Sequence, residues 1–139
     1  MVTLSIKFDG ELVRQGLENL QAEIPQIGRR HIYDMVNRIT REMEGYPPER
    51  PGQRYERTGR LGFGWKVEKL DNGYRVYNDT LYTKYVVGSA YGTNQAWMHV
   101  GRWQKYRDVV DREVAKLPDE IADEVVMVAR RDGFEASKT

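Results

Sequence analysis

The sequence predicts an α+β fold, in which a small antiparallel sheet is packed against a long N-terminal helix, or kinked helix pair, and C-terminal helices. Three observations predict it. Apolar residues recur at helical spacing through most of 11–44 and again beyond Trp103. Residues 2–8 alternate apolar and polar, as a half-buried strand does. In the middle, Asp71-Asn72-Gly73 separates two runs rich in aromatic and β-branched residues, which is a hairpin signal.

Taken in order, Val2, Leu4, Ile6 and Phe8 face one way and Thr3, Ser5 and Lys7 the other, and Asp9-Gly10 ends the strand. This strand is expected to join the central ones in a single sheet. Leu12, Val13, Leu17, Leu20 and Ile24 then keep helical steps, continued by Ile32, Met35, Val36, Ile39 and Met43. Pro25 lacks a backbone donor and crowds the preceding turn, so a break or kink is expected near Ile24, with Gly45 ending the helical stretch.

Residues 46–60 read Tyr-Pro-Pro-Glu-Arg-Pro-Gly-Gln-Arg-Tyr-Glu-Arg-Thr-Gly-Arg. Their prolines and glycines exclude regular helix and predict an extended loop without evident core residues. Loops of this length in a compact domain are usually functional or disordered. Phe63, Trp65 and Val67 share one face of the first hairpin strand, residues 74–77 form its return, and the run 81–87 suits a third strand. A second irregular loop covers 88–98. Helix resumes near Trp103, with Val110, Val114, Leu117, Ile121, Val125 and Val128 in helical register. Pro118 can open a new helix there, with Asp119 and Glu120 beside its N-terminal dipole. Gly133 ends it, and 135–139 reads as a frayed tail. The chain shows no internal repeat, and 1–139 reads as one domain.

The bulk numbers narrow the function classes. The 22 basic and 21 acidic residues nearly cancel, leaving +1, which argues against a surface that grips nucleic acid or an anionic membrane all round. With no cysteine, neither disulfides nor thiolate metal sites enter. No stretch approaches the roughly 20 apolar residues that span a bilayer, and the alternating N-terminus is unlike a secretory signal. A soluble protein made in the cytoplasm is expected, with no membrane partner.

Catalytic chemistry finds little purchase. The histidines are His31, on a helix behind Arg29-Arg30, and His99, at a loop-to-helix junction; neither has a motif partner such as Gly-x-Ser-x-Gly or His-Glu-x-x-His. His31 reads as a surface or half-buried helical residue and His99 as a structural hydrogen-bonding one. Asp119, Glu120, Asp123 and Glu124 resemble a metal face but read more simply as a helix N-terminus and a solvated stripe. Gly59-Arg60-Leu61-Gly62-Phe63-Gly64 lacks the lysine and serine of a phosphate-binding loop. No catalytic, cofactor or metal residue is assigned, and no cofactor is expected.

Two loops stand out instead. Arg50, Arg54, Arg57 and Arg60 lie among Tyr46 and Tyr55, while Arg102, Lys105 and Arg107 lie beside Trp103 and Tyr106. Arginine interleaved with aromatics suits protein interfaces, and it also suits phosphate and base contact. Glu49 and Glu56 dilute the first cluster, so protein contact is the preferred reading and a nucleic-acid-binding regulator is the alternative of a different class.

Arg57-Thr58-Gly59-Arg60-Leu61 before the hairpin, then Asn78 and Tyr82-Thr83-Lys84-Tyr85-Val86-Val87-Gly88, resembles the neck, or head–tail joining, proteins of long-tailed phages and their prophages. The match continues through Gln95, His99, Gly101, Arg102 and Trp103, and covers 46–103. Departures are Arg57 where that family often has aspartate, Thr83 where alanine is usual and Val87 where glutamate is frequent. The resemblance implies a structural virion protein that is not an enzyme, made in the host cytoplasm and located at the head–tail junction. It implies a homo-oligomeric ring, six- or twelve-fold, around a channel through which genome DNA passes without sequence-specific binding. Its neighbours are head-connector and tail proteins; a tail terminator or other minor tail protein is the nearest alternative. Interface candidates are Tyr46, Arg50, Arg54, Tyr55, Arg57, Tyr82, Tyr85, Gln95, Trp97, His99, Arg102 and Trp103. Thr58, Gly59, Arg60, Leu61, Tyr85, Val86, Gly88 and Gly101 are the structural motif residues.

Overall fold

A computed structural model describes residues 2–7, 13–52 and 59–139. Its elements are β1 (Leu4–Lys7), α1 (Val13–Glu44), α2 (Arg60–Phe63), β2 (Trp65–Leu70), β3 (Gly73–Asn78), α3 (Thr83–Val87), a 3-10 turn at Trp97–His99, α4 (Tyr106–Arg131) and β4 (Glu135–Lys138). Long helices beside two small antiparallel sheets make this an α+β fold, as expected from the sequence. The chain divides into two compact units, Met1–Asp34 with Val114–Thr139, and Met35–Glu113.

In the first unit β1 runs antiparallel to β4, with Leu4 opposite Lys138 and Lys7 opposite Glu135. Leu20 and Ile27 of α1 are buried with Val125, Val126, Val128 and Ala129 of α4 and with Phe134 and Ala136, flanked by Ile6, Leu17 and Ile121. The α4 residues fall at i, i+1, i+3 and i+4, which sets one face of that helix inward. Gly133, at φ +91, reverses the chain so that Phe134 and Ala136 turn into this cluster. Polar ties surround it. Glu124 is paired with both Arg30 and His31, Arg131 reaches Glu23 at 2.7 Å, and Lys138 reaches Asp123 at 2.5 Å and Asp119 at 3.4 Å. The hydrogen bond that Lys138 donates to Asp123 is the main cause that raises its ammonium above the ordinary value.

In the second unit the hairpin pairs Trp65 with Asn78 and Leu70 with Gly73, leaving Asp71-Asn72 as a two-residue turn. Met35, Val36, Ile39 and Met43 form a buried stripe along α1, and Leu61, Trp65, Val86, Val87 and Val109 are buried as well. Glu113, 4% exposed, accepts a 3.1 Å hydrogen bond from Arg38 Nε. A carboxylate taken from water in this way is tolerable because a cation meets it.

Five details depart from the sequence reading, the first being that Phe63 ends α2 and lies outside the hairpin strand, which begins at Trp65. The run 81–87 is a turn followed by helix α3. Thr83, Val86 and Val87 are buried at i, i+3 and i+4 while Lys84 and Tyr85 face out, so packing overrides the strand preference of the β-branched residues. The N-terminal strand pairs with β4 and does not join the hairpin sheet. The segment expected to fray is therefore β4. Finally, α1 passes unbroken through Pro25 and α4 through Pro118. Both prolines are exposed, and so are Gln21 and Val114, whose carbonyls lose a donor there; water can serve those groups.

Candidate functional site

The two arginine/aromatic loops meet in the second unit. The Tyr46 ring stands edge-on to Trp103 with centroids 5.2 Å apart, and its hydroxyl accepts the N–H of Gly62 at 2.8 Å. Arg50 Nη2 donates to the Met98 carbonyl at 2.9 Å, and Arg102 Nη2 donates to the Pro48 carbonyl at 2.8 Å. Each loop thus sends an arginine to the other's backbone. Guanidinium groups suit this because they carry several donors in a planar fork.

Gln95 closes the second loop from within. Its Nε2 donates to the carbonyls of Val86 at 2.9 Å and Trp103 at 3.1 Å, with His99 O at 3.5 Å. Three carbonyls around one nitrogen fix the orientation of the amide. The His99 ring packs edge-on to Trp103, centroids 6.3 Å apart. Burial is the first cause that lowers its pKa below the ordinary imidazole value, followed by the charges of Arg102 and Arg50. A neutral ring with cationic neighbours suits structural packing, and its Nδ1 is buried without a hydrogen-bond partner among the described residues.

Asn78 organises the other side of the loops. Its Nδ2 donates to Leu61 O at 2.7 Å, and its Oδ1 accepts from Thr80 N at 3.0 Å and Thr83 Oγ1 at 3.1 Å. One side chain therefore holds α2, the end of β3 and the start of α3. Gly59, at φ +78, begins α2, and a Cβ there would lie 2.8 Å from the Phe63 ring. Gly88 ends α3 at φ +81. Both motif glycines are thus required by backbone geometry, although Gly59 leads into a helical turn and not directly into a strand.

The candidate residues separate by exposure. Tyr46, Gln95, His99, Arg102 and Trp103 are partly buried and tie the loops, with Arg50 joining them from an exposed position. Leu61 and Val86 are buried, and Arg60 is the exposed first residue of α2. Gly101 takes φ +74. Tyr82, Tyr85 and Trp97 face outward, Tyr85 with Lys84 Nζ 5.1 Å above its ring centroid. Arg54, Tyr55, Arg57 and Thr58 lie outside the described residues.

Sequence reasoning singles out Trp97 but misses Leu81 and Tyr91, which are turned outward in the same way. Leu81, Tyr91 and Trp97 are 92%, 89% and 84% exposed, although large apolar side chains ordinarily find cover. Leu81 was placed in a strand, and the available signal was an apolar residue between turn residues, without a periodic partner. A cavity of about 470 Å³ was also missed; Trp65 and Tyr106, stacked with centroids 5.6 Å apart and 14° between planes, form part of its wall. Burial raises the Tyr106 phenol above its ordinary pKa, and its hydroxyl donates to Val76 O at 2.9 Å.

No helix among the described residues is long and apolar enough to cross a membrane. No protein-family model, curated protein or solved structure matches the chain.

Proposed function

We propose that the chain is a non-enzymatic structural subunit of a tailed-phage or prophage virion, a neck or head–tail joining protein. In this reading, copies form a ring around the DNA channel and contact head-connector proteins on one side and tail proteins on the other. The observation that carries the proposal is a division of labour within one short stretch. Motif residues such as Gly59, Asn78, Gly88, Gln95 and Trp103 serve as turns and ties, whereas Leu81, Tyr91 and Trp97 beside them are turned outward. A well-tied frame that presents large apolar side chains is suited to docking, because those side chains gain most from being covered by a partner.

The regulator reading draws less support. Arg50 and Arg102 each commit a guanidinium N–H to a backbone carbonyl, so part of their capacity for phosphate contact is used inside the chain. The proposal is tested by deleting the coding sequence from the encoding phage or prophage and imaging its particles. Filled heads separated from finished tails are the expected result; joined, infectious particles would overturn the proposal.

A further inference from the structure

The cavity beside the hairpin has a wall rich in hydrogen-bond donors. Residues from β2, β3, α3 and the start of α4 line it, none of them Asp or Glu. Arg75 and Lys84 bring positive charge. The indole N–H of Trp65, a residue only 8% exposed, is buried without an acceptor among the described residues. The most obvious acceptor in the wall, Asn78 Oδ1, is already engaged by Thr80 and Thr83. The stacked Trp65 and Tyr106 rings form an aromatic part of the same wall.

A lining that holds two cations and no carboxylate defines what would fit. Arg75 lies over the Tyr77 ring at 4.3 Å, and its ion pair with Glu68, 3.6 Å long and well exposed, is of the weak kind that an incoming carboxylate can displace. The aromatic part of the wall suits an apolar group next to the acid.

We propose that this cavity is a docking pocket for an acidic side chain of a neighbouring assembly protein, an Asp or Glu carried beside an aliphatic or aromatic residue. The carboxylate meets Lys84 and Arg75, and the apolar neighbour rests against the Trp65 and Tyr106 side of the wall. The proposal rests on the assembly-subunit reading in requiring a protein occupant, but not on the neck position. Binding measured on the isolated chain therefore fails or succeeds separately from particle imaging.

The test is a nuclear magnetic resonance titration of the full chain, following the Trp65 indole resonance, which Trp65→Phe identifies. The probe is a pool of short synthetic peptides with one central Glu flanked by Leu, Ile or Phe; a matched pool carries Gln in place of Glu, and a thymidine oligonucleotide serves as a third arm. A saturable shift with the Glu pool is expected, with little from the Gln pool or the oligonucleotide. Lys84→Glu, on an exposed side chain, should weaken Glu-pool binding by about tenfold or more while melting is unchanged. Lys84→Met, which removes the charge and keeps the stem, should weaken it less. No saturable shift, equal binding of the Gln pool, or tighter binding of the oligonucleotide at this resonance would each overturn the proposal.

Discussion

The side-chain amide of Gln95 donates to the carbonyl of Val86 across 2.9 Å, joining the middle of the second loop to the last turn of α3. The same nitrogen serves Trp103 O at 3.1 Å, so one residue supplies donors to carbonyls that α3 and the loop leave without helical partners. Gln95→Glu replaces those donors with a carboxylate facing carbonyl oxygens. Stability should fall by about 2 kcal/mol, the scale of leaving buried acceptors unsatisfied. Urea unfolding followed by circular dichroism measures it, and an unchanged midpoint would mean that water already serves these carbonyls.

Asn78 offers a narrower test because Asn78→Asp is isosteric. Oδ1 can still accept from Thr80 and Thr83, but the donor to Leu61 O at 2.7 Å is lost. A loss of about 1–2 kcal/mol is expected, from one unsatisfied carbonyl and a carboxylate placed against it. If the variant matches wild type in thermal melting, the bond between Asn78 and Leu61 contributes nothing to stability.

These two residues show how much was legible in the sequence. The hairpin was legible because Asp71-Asn72-Gly73 is a local signal, and the long helices because their apolar spacing is periodic. Helix α3 was not, because Thr83, Val86 and Val87 favour strand locally and take helical form only where packing buries them together. β4 was not, because Glu135–Lys138 carries a single small apolar residue, Ala136, and its partner strand lies at the other end of the chain. The loops were legible as places of interest from their Arg and aromatic content. Their division into inner ties and outward side chains was not, because composition carries no direction.

His99 makes stability depend on pH with a definite sign. Its pKa is lowered in the folded state, first by burial and then by Arg102 and Arg50. As pH falls through the ordinary imidazole value of about 6.5, the unfolded chain takes up the proton first, so this residue's contribution to stability is lost on acidification and is fully present above that value. Melting of wild type and His99→Gln at neutral pH and about one unit below the imidazole value should show a steeper acid loss in wild type. An equal or steeper loss in the variant would contradict the assignment.

Glu113 tests an ion pair of which it is the buried partner. With Arg38 Nε at 3.1 Å and almost no solvent contact, Glu113→Ala removes one partner of a charge-assisted bond. The expected cost is about 1–2 kcal/mol, because the Arg38 left behind is 40% exposed and can turn to water, and Glu113→Gln, which keeps an acceptor, should cost less. Equal effects of the two substitutions in denaturant unfolding would show that packing, and not the hydrogen bond, sets the loss.

The central claim is that the second unit presents Leu81 and Trp97 for docking in a virion. Replacing both with Ser should change thermal stability by less than about 0.5 kcal/mol, because exposed side chains contribute little to the isolated fold. Electron microscopy of particles whose genome encodes Leu81→Ser with Trp97→Ser is the most direct measurement. The account predicts filled heads and finished tails that fail to join, from a variant that melts as wild type does. Joined, infectious particles carrying the variant would contradict it.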